Sequence, residues 1–102
     1  MNFHFPSIRK AARGQDCTLN IVGACNYSLE TVVLCHYPDE SHGIGHKACD
    51  FSAGFACSAC HDVVDRRVIN QEFEVHREWY LRRSQTRTML KLVELGVIKA
   101  GK

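Results

Sequence analysis

The run Ala-Cys-Ser-Ala-Cys-His-Asp at residues 56–62 holds the side chains of this sequence that are best suited to chemistry. Cys57 and Cys60 are separated by two residues, a spacing that lets both thiolates bind one metal ion from the same side of a turn. His61 follows directly, and Asp65 lies four residues further along the chain. In a helix beginning here, His61 and Asp65 share one face, so a second polar site would start beside the first.

The Cys-x-x-Cys-His run is compatible with three kinds of chemistry: covalent attachment of c-type haem, dithiol redox chemistry in a βαβ fold, and zinc binding. Residues 1–15 contain no apolar run of the length that a signal peptide needs, which argues against haem. The chain has few strand-like segments, which argues against a βαβ redox fold. Zinc is therefore the favoured interpretation, provided that two further ligands exist.

Cys17 and Cys25 are the candidates for the two further ligands. The seven residues between them exceed the two to four of the usual zinc knuckle, but a wide loop or short hairpin can still bring both sulfurs to one ion. The alternative is that they are buried as small apolar side chains. We favour a four-cysteine Zn²⁺ site and leave Cys35 and Cys49 outside it. The predicted ligands are Cys17, Cys25, Cys57 and Cys60.

Length and cysteine content restrict the class of protein. At 102 residues the chain is long enough for one small domain, whose limited core would be stabilised by a metal ion. Six cysteines without a signal peptide indicate a reducing compartment, so we expect a soluble cytoplasmic protein. No apolar stretch approaches the ~20 residues that cross a membrane, and no membrane partner is expected.

Positive charge is concentrated in the second half of the chain. Residues 1–50 contain four Lys/Arg and five Asp/Glu, whereas residues 51–102 contain nine and six. The excess lies mainly between Arg77 and Lys91, which suits an anionic partner such as nucleic acid. A solvated helix face explains the same charge, and on charge alone it is the preferred explanation.

Local signals predict the elements that position these residues. The β-branched run over residues 30–37 predicts a strand that ends near His36. We expect a polar loop over 38–49, a short return strand or turn over 50–56 and a helix over 58–68.

A second helix is predicted over residues 71–95, with Asn70 as its N-cap and Gly96 as its stop. At 100° per residue its side chains divide into an apolar and a basic side, and the apolar side is expected to pack in the core. The apolar side comprises Trp79, Leu81, Met89, Leu90, Leu92 and Val93. The other side comprises Tyr80, Arg83, Arg87 and Lys91.

A set of short motifs connects the chain to a known family. These are residues 9–14, Cys17 with Cys25, Leu34-Cys-His36, Gly43-Ile-Gly45, residues 56–62, Asp65-Arg-Arg67 and residues 96–100. With His36 ending a strand, Asp50 in the loop and His61 on a helix after Cys-x-x-Cys, the layout resembles the ββα-metal, or HNH, nucleases. Over about residues 9–100 the chain also resembles, more closely, the small HNH nucleases of phages and prophages typified by YbcO.

The resemblance implies a metal-dependent endonuclease that hydrolyses phosphodiester bonds in DNA. His36 is implied as the general base, because an imidazole with a pKa near ~6.5 can activate water at pH 7. His61, Asp50 and Asp65 are implied to hold a catalytic Mg²⁺ or Mn²⁺ ion, whereas the four-cysteine zinc would be structural. The predicted DNA contacts are Arg83, Arg87 and Lys91.

Two positions depart from the family pattern. Asp50 stands where asparagine is commoner, and Asp65 stands where a lysine usually follows the helix histidine. Both changes make the site more acidic, which favours binding of a divalent cation.

The predicted fold is a single α+β domain over residues 1–102. It comprises a basic N-terminal arm or helical turn over 1–16, a zinc-stapled ββα core over 17–68 and a C-terminal amphipathic helix over 70–96. The expected protein is phage- or prophage-encoded and acts in recombination or processing of DNA in the bacterial host cytoplasm; the sequence does not choose between a monomer and a homodimer. The alternative is a non-catalytic zinc-binding module that contacts DNA or protein.

Overall fold

The computed structural model describes residues 4–38, 49–99 and 101, and in these ranges helices surround a two-stranded antiparallel sheet. The elements in chain order are α1 (Pro6–Ala11), β1 (Val33–His36), β2 (Ala53–Ala56), α2 (Ser58–Val64), α3 (Gln71–Val75) and α4 (Arg77–Glu94). This arrangement confirms the predicted small α+β class. None of the helices in the described ranges is long and apolar enough to cross a membrane. Most of the predicted loop over 38–49 lies outside the described residues.

β1 is shorter than the strand predicted over 30–37, because Leu29–Thr31 form a 3-10 turn instead. The Thr31 hydroxyl donates a hydrogen bond of 3.0 Å to the Ser28 carbonyl, which stabilises this turn. His36 ends β1, as the sequence predicted. The paired residues are Val33 and Ala56, Leu34 and Phe55, Cys35 and Gly54, and His36 and Ala53.

β2 is buried along its whole length, and its edge away from β1 is covered by other segments. The Thr18 amide donates to the Phe55 carbonyl at 2.8 Å, and the Phe55 amide donates to Thr88 Oγ1 at 3.0 Å. A strand edge with unpaired backbone groups would otherwise invite pairing with another chain. The loop before the 3-10 turn and helix α4 thus complete the hydrogen bonding of β2.

Four hydroxyls from three segments of the chain meet over β2 and form an ordered chain of hydrogen bonds. Thr18 Oγ1 donates to the Phe55 carbonyl at 2.9 Å, so its two neighbours, Ser84 Oγ at 2.6 Å and Thr88 Oγ1 at 3.0 Å, must donate to it. Tyr37 Oη then donates to Ser84 Oγ at 2.7 Å. Each buried hydroxyl therefore finds one acceptor, as a buried polar group requires.

Gly54 permits the close approach of α4 to the sheet. A Cβ atom at this position would overlap the Ser84 hydroxyl and would lie 2.6 Å from Tyr37 Oη. No side chain fits between β2 and the hydroxyl chain, and both atoms that would be displaced are themselves hydrogen-bonded.

The helix predicted over 71–95 is two helices, because His76 (φ −114°, ψ 29°) leaves helical geometry between α3 and α4. Asn70 is the N-cap of α3, and its side-chain oxygen accepts a hydrogen bond of 2.9 Å from the Phe73 amide. Gly96 follows α4 with φ +76°, a left-handed conformation that glycine adopts without steric cost. Both predicted ends are therefore confirmed, while the interruption had no sequence signal.

The predicted sidedness of α4 is partly wrong. Tyr80 is buried, although the pattern placed it on the basic side, whereas Trp79, Leu90 and Val93 are exposed, although the pattern placed them in the core. The residues that α4 buries are Tyr80, Leu81, Ser84, Thr88 and Leu92. Ser84 and Thr88 are small polar residues, which a hydropathy pattern assigns to the surface. The hydrogen-bond chain over β2 holds them in the core.

Two further boundaries follow from local geometry. α1 begins at Pro6, buries Ile8 and shows that the segment over 1–16 includes a helix rather than only a basic arm. α2 ends at Val64, short of the predicted 58–68, because Arg66 has φ +60°, which cannot continue a right-handed helix.

Replacing Gly54 with alanine should destabilise the fold by about 1–3 kcal/mol, because the added methyl group displaces the Ser84 and Tyr37 hydroxyls from their hydrogen bonds. Urea unfolding followed by circular dichroism measures this change. Gly101→Ala is the matched control, since a Cβ atom there meets nothing within 4 Å. Equal stability of the two variants would contradict the close approach of α4.

Candidate metal centre and active-site cleft

Four cysteines converge on one point of the structure, and their Sγ atoms all lie within 4.8 Å of one another. Cys57 is the N-cap of α2, and its sulfur accepts a hydrogen bond of 3.4 Å from the Cys60 amide. The loop over 17–25 turns back through positive φ angles at Asn20 (44°) and Gly23 (79°), which brings its two ends together. The four residues are those that the sequence predicted: Cys17, Cys25, Cys57 and Cys60.

The geometry of these thiols fits a tetrahedral metal ion. Zn–S bonds of about 2.3 Å place neighbouring sulfurs about 3.8 Å apart, and the sulfurs of Cys25 and Cys57 are 3.8 Å apart. A hydrogen bond from the Cys60 thiol lowers the pKa of Cys17 to about 5, against the opposing effect of burial. The same bond raises the pKa of Cys60. The cluster can therefore hold a metal ion such as zinc, which would replace the proton that this pair shares.

Two arginines of α4 form hydrogen bonds to the loop over 17–25, which carries the first two cysteines of the cluster. Arg83 Nη2 donates to the Leu19 carbonyl at 2.7 Å, and Arg87 Nη1 donates to Asn20 Oδ1 at 3.1 Å. Both had been predicted to contact DNA, together with Lys91, whose ammonium donates to Glu94 at 3.3 Å. At least one donor of each predicted DNA contact is therefore engaged within the protein.

Asp50 is a buried carboxylate with partners on every side. Its side chain is fully inaccessible, and its oxygens accept the Phe5 amide at 2.5 Å and His36 Nε2 at 2.6 Å, with His4 Nδ1 at 3.2 Å and Arg9 Nε at 3.6 Å. Burial raises the pKa of Asp50, but the hydrogen bonds from His36, the Phe5 amide and His4 outweigh burial and lower it overall. Asp50 is therefore an anion that fixes the His36 ring.

His4 and Arg9 belong to this site but were not predicted from the sequence. Arg9 Nη2 lies 2.9 Å from His4 Nδ1, so the two residues are close to each other as well as to Asp50. They approach Asp50 across more than 40 positions of sequence, because α1 packs over the end of the sheet. No periodicity or spacing in the sequence connects these segments, so only the packed fold could reveal the contact.

An open cleft of about 610 Å³ lies between the end of β1 and α2. His36 lines it from the strand, and His61 and Asp65 line it from the helix, with His61 Nδ1 3.4 Å from Asp65 Oδ2. The other charged lining residues are Arg9, Arg13, Arg67 and Arg77. The cleft thus combines two imidazoles and one carboxylate with a strong excess of positive charge.

Arg77 has a donor that the described part of the chain does not satisfy. Its guanidinium lies 5.1 Å from the centre of the Phe73 ring, and Nη1 is buried without a hydrogen-bond partner there. A buried N–H group beside an open cleft is suited to an anionic ligand that enters the cleft.

The predicted ligands of the catalytic ion fall into two groups in the structure. The metal set inferred from the sequence was His61, Asp50 and Asp65. Among the described residues, however, Asp50 groups with His36 and His4, while His61 pairs with Asp65. Asp65 also lies 3.5 Å from Arg67 Nη1. The physical reason is that the carboxylate of Asp50 points behind His36 toward α1 rather than into the cleft.

Comparison with known proteins gives consistent results. The model of the family described as "Putative nuclease YbcO" matches residues 6–97. The protein named "Putative nuclease YbcO" from Escherichia coli (strain K12) is 43% identical over 94 residues, which is 91% of this chain and 97% of that protein. "Putative nuclease ybcO" of Enterobacteria phage 82 matches with the same identity and coverage.

A solved structure supports the same assignment. "Structure of a putative bacteriophage protein from Escherichia coli str. K-12 substr. MG1655" superposes with a TM-score of 0.69 at 39% identity, covering 88% of this chain and 100% of that chain. The similarity in sequence and the similarity in fold therefore both extend over most of this chain. The chain belongs to the YbcO family of phage-associated nucleases.

Proposed function

We propose that this nuclease is a metal-dependent endonuclease of the HNH type that hydrolyses phosphodiester bonds in DNA. The observation that carries the proposal is His36, which is hydrogen-bonded to the buried Asp50 and faces a cleft lined by arginines and by the His61–Asp65 pair. The order of β1, β2 and α2, with His36 ending β1 and His61 inside α2, supports the HNH type.

His36 is proposed as the general base. Its Nε2–H donates to Asp50 at 2.6 Å, which leaves Nδ1 unprotonated in the neutral ring and able to accept a proton from water. The buried anion also stabilises the imidazolium that forms when the proton is taken. Asp50 in this arrangement orients the base.

His61 and Asp65 are proposed to hold the catalytic Mg²⁺ or Mn²⁺ ion. They lie one helical turn apart on α2, line the cleft together and provide a nitrogen and an oxygen ligand. A divalent ion bound there would neutralise the charge that develops on the phosphate and the leaving oxygen. In the absence of an ion, Arg67 neutralises the Asp65 carboxylate.

The arginines of the cleft are proposed to bind the phosphates of the substrate. Guanidinium groups match phosphate oxygens in geometry and charge, and Arg77 presents a buried donor that has no partner in the described part of the chain. Arg9 connects this function to the base, because it lines the cleft and lies 3.6 Å from Asp50.

The four-cysteine cluster is proposed to bind a structural Zn²⁺ ion. A thiolate site with four protein ligands leaves no position for a water molecule, so it supplies folding energy rather than chemistry. The four cysteines of the cluster form no disulfide bonds, which suits the reducing cytoplasm of a bacterial host. We further propose a phage or prophage role in DNA recombination or processing.

Replacement of the two histidines should produce different defects. His36→Ala should lower the cleavage rate at saturating metal by about 10²–10⁴-fold while leaving affinity for the catalytic ion intact, because the base is lost. His61→Ala should weaken binding of the ion, so raising Mg²⁺ or Mn²⁺ should recover part of the rate. Digestion of plasmid and branched DNA over a metal titration measures both effects.

His76→Ala is the matched control, because His76 is exposed at the junction of α3 and α4 and does not line the cleft. Parental cleavage by both test variants, or no cleavage by the parent with any divalent ion, would refute the nuclease mechanism. The non-catalytic zinc-binding module would then be the better description.

Asp50→Asn should lower the cleavage rate by about 10–100-fold, because the charge that orients and stabilises the His36 ring is removed. Affinity for the catalytic ion should remain that of the parent, since the carboxylate points away from the cleft. Asp16→Asn controls for loss of an exposed carboxylate. Weakened metal binding in Asp50→Asn would instead return Asp50 to the ligand set predicted from the sequence.

One zinc ion per chain should be found by elemental analysis of the purified protein. Cys57→Ala should abolish zinc binding and cause unfolding, because the ion links α2 to the loop over 17–25. Cys35→Ser should retain the zinc, since Cys35 lies outside the cluster and burial raises its pKa. A stable fold in excess chelator would contradict a structural ion.

A further inference from the structure

Trp79 is exposed in a position that the nuclease mechanism does not explain. The side chain lies in the first turn of α4, and 57% of the residue is accessible. The ring borders a shallow hollow of about 330 Å³, whose other lining residues are Arg82, Arg83, Thr86 and Arg87. A large aromatic ring among three arginines combines a flat apolar surface with positive charge.

We propose that this hollow binds an unpaired nucleotide of a DNA strand, with the base stacked on Trp79 and its phosphates on the arginines. The inference rests on the proposed function and names its substrate class: DNA that contains a single-stranded segment beside the point of cleavage. Bases in a duplex are stacked on one another and cannot reach an indole ring, whereas unpaired bases stack on aromatic side chains without regard to sequence.

Two of the three arginines are held in place by contacts within the protein. The Arg83 guanidinium lies 4.4 Å from the centre of the Trp79 ring and 5.4 Å from that of Tyr80, which stacks it against the aromatic surface. Arg83 is fixed by its bond to the Leu19 carbonyl, and Arg87 by its bond to Asn20. Arg83 Nε is buried, but N–H donors on the terminal nitrogens of both guanidinium groups remain for phosphate oxygens.

The positive charge of the hollow favours a nucleic-acid strand over a second copy of this chain as its ligand. No carboxylate lines the hollow in the part of the chain that the structure describes. In a symmetric dimer through this surface, the three arginines of one copy would face the three of its partner, a like-charge contact that disfavours association. A nucleic-acid strand supplies the complementary negative charge together with a flat base.

The chain contains a single tryptophan, so its fluorescence reports directly on this hollow. The zinc-loaded protein should be titrated with an oligothymidylate of about ten nucleotides and with a blunt duplex of equal length, without added Mg²⁺ or Mn²⁺. Stacking of a base on the indole should quench the emission with the single strand and leave it nearly unchanged with the duplex.

Three variants test the contacts through the anisotropy of a labelled single strand. Trp79→Ala should weaken binding roughly 5- to 150-fold, the range expected for loss of one base stack. Arg82→Ala should weaken it and flatten its dependence on salt. Lys99→Ala, which removes an exposed charge outside the hollow, should change binding little. Trp79 and Arg82 are exposed, so their replacement leaves the fold intact by circular dichroism.

Absence of quenching, or equal affinity of the parent and Trp79→Ala for the single strand, would overturn the proposal. Quenching that depends on protein concentration alone would overturn it in favour of self-association. These outcomes are independent of catalysis. If the protein shows quenching but never cleaves DNA, the binding site stands and the proposed nuclease mechanism fails. If it cleaves DNA without quenching, the nuclease mechanism stands and the binding site fails.

Discussion

The burial of one carboxylate organises the half of this molecule that contains the cleft. A fully buried Asp50 is stable as an anion only if donors surround it, and the donors come from two places: the end of β1 and the segment that opens α1. The requirement to satisfy one charge therefore fixes the orientation of the His36 ring and holds α1 over the sheet. The orientation of the His36 ring and the packing of α1 therefore depend on the same carboxylate.

The other half of the molecule depends on the contact between α4 and β2. Gly54 lets the helix approach, and the hydroxyl groups of Ser84 and Thr88 complete the hydrogen bonding of the strand and of Thr18. The same helix braces the loop over 17–25 through its arginines. The cysteine cluster and the sheet consequently share one support, which explains how a sheet of two strands can hold His36 in a defined position.

Local signals in the sequence were sufficient for part of this architecture. The cysteine spacing, the end of β1 at His36, the cap at Asn70 and the stop at Gly96 all depend on residues close in the chain, and the structure has each of them. The contacts of Asp50 with α1 were not predictable, because they join segments with no shared pattern. The exposure of Trp79 was also missed, because hydropathy cannot recognise hydroxyl residues that are buried through hydrogen bonds.

The covering of β2 by α4 has a consequence for the order in which the fold forms during synthesis. Both strands, the four clustered cysteines and both cleft histidines are translated before Thr88, the residue of α4 that accepts the Phe55 amide at the edge of β2. A nascent chain lacking α4 leaves that edge incomplete, and the sheet that carries His36 has no support on that side. A chain truncated before α4 would therefore carry His36 on a sheet whose outer edge is uncovered.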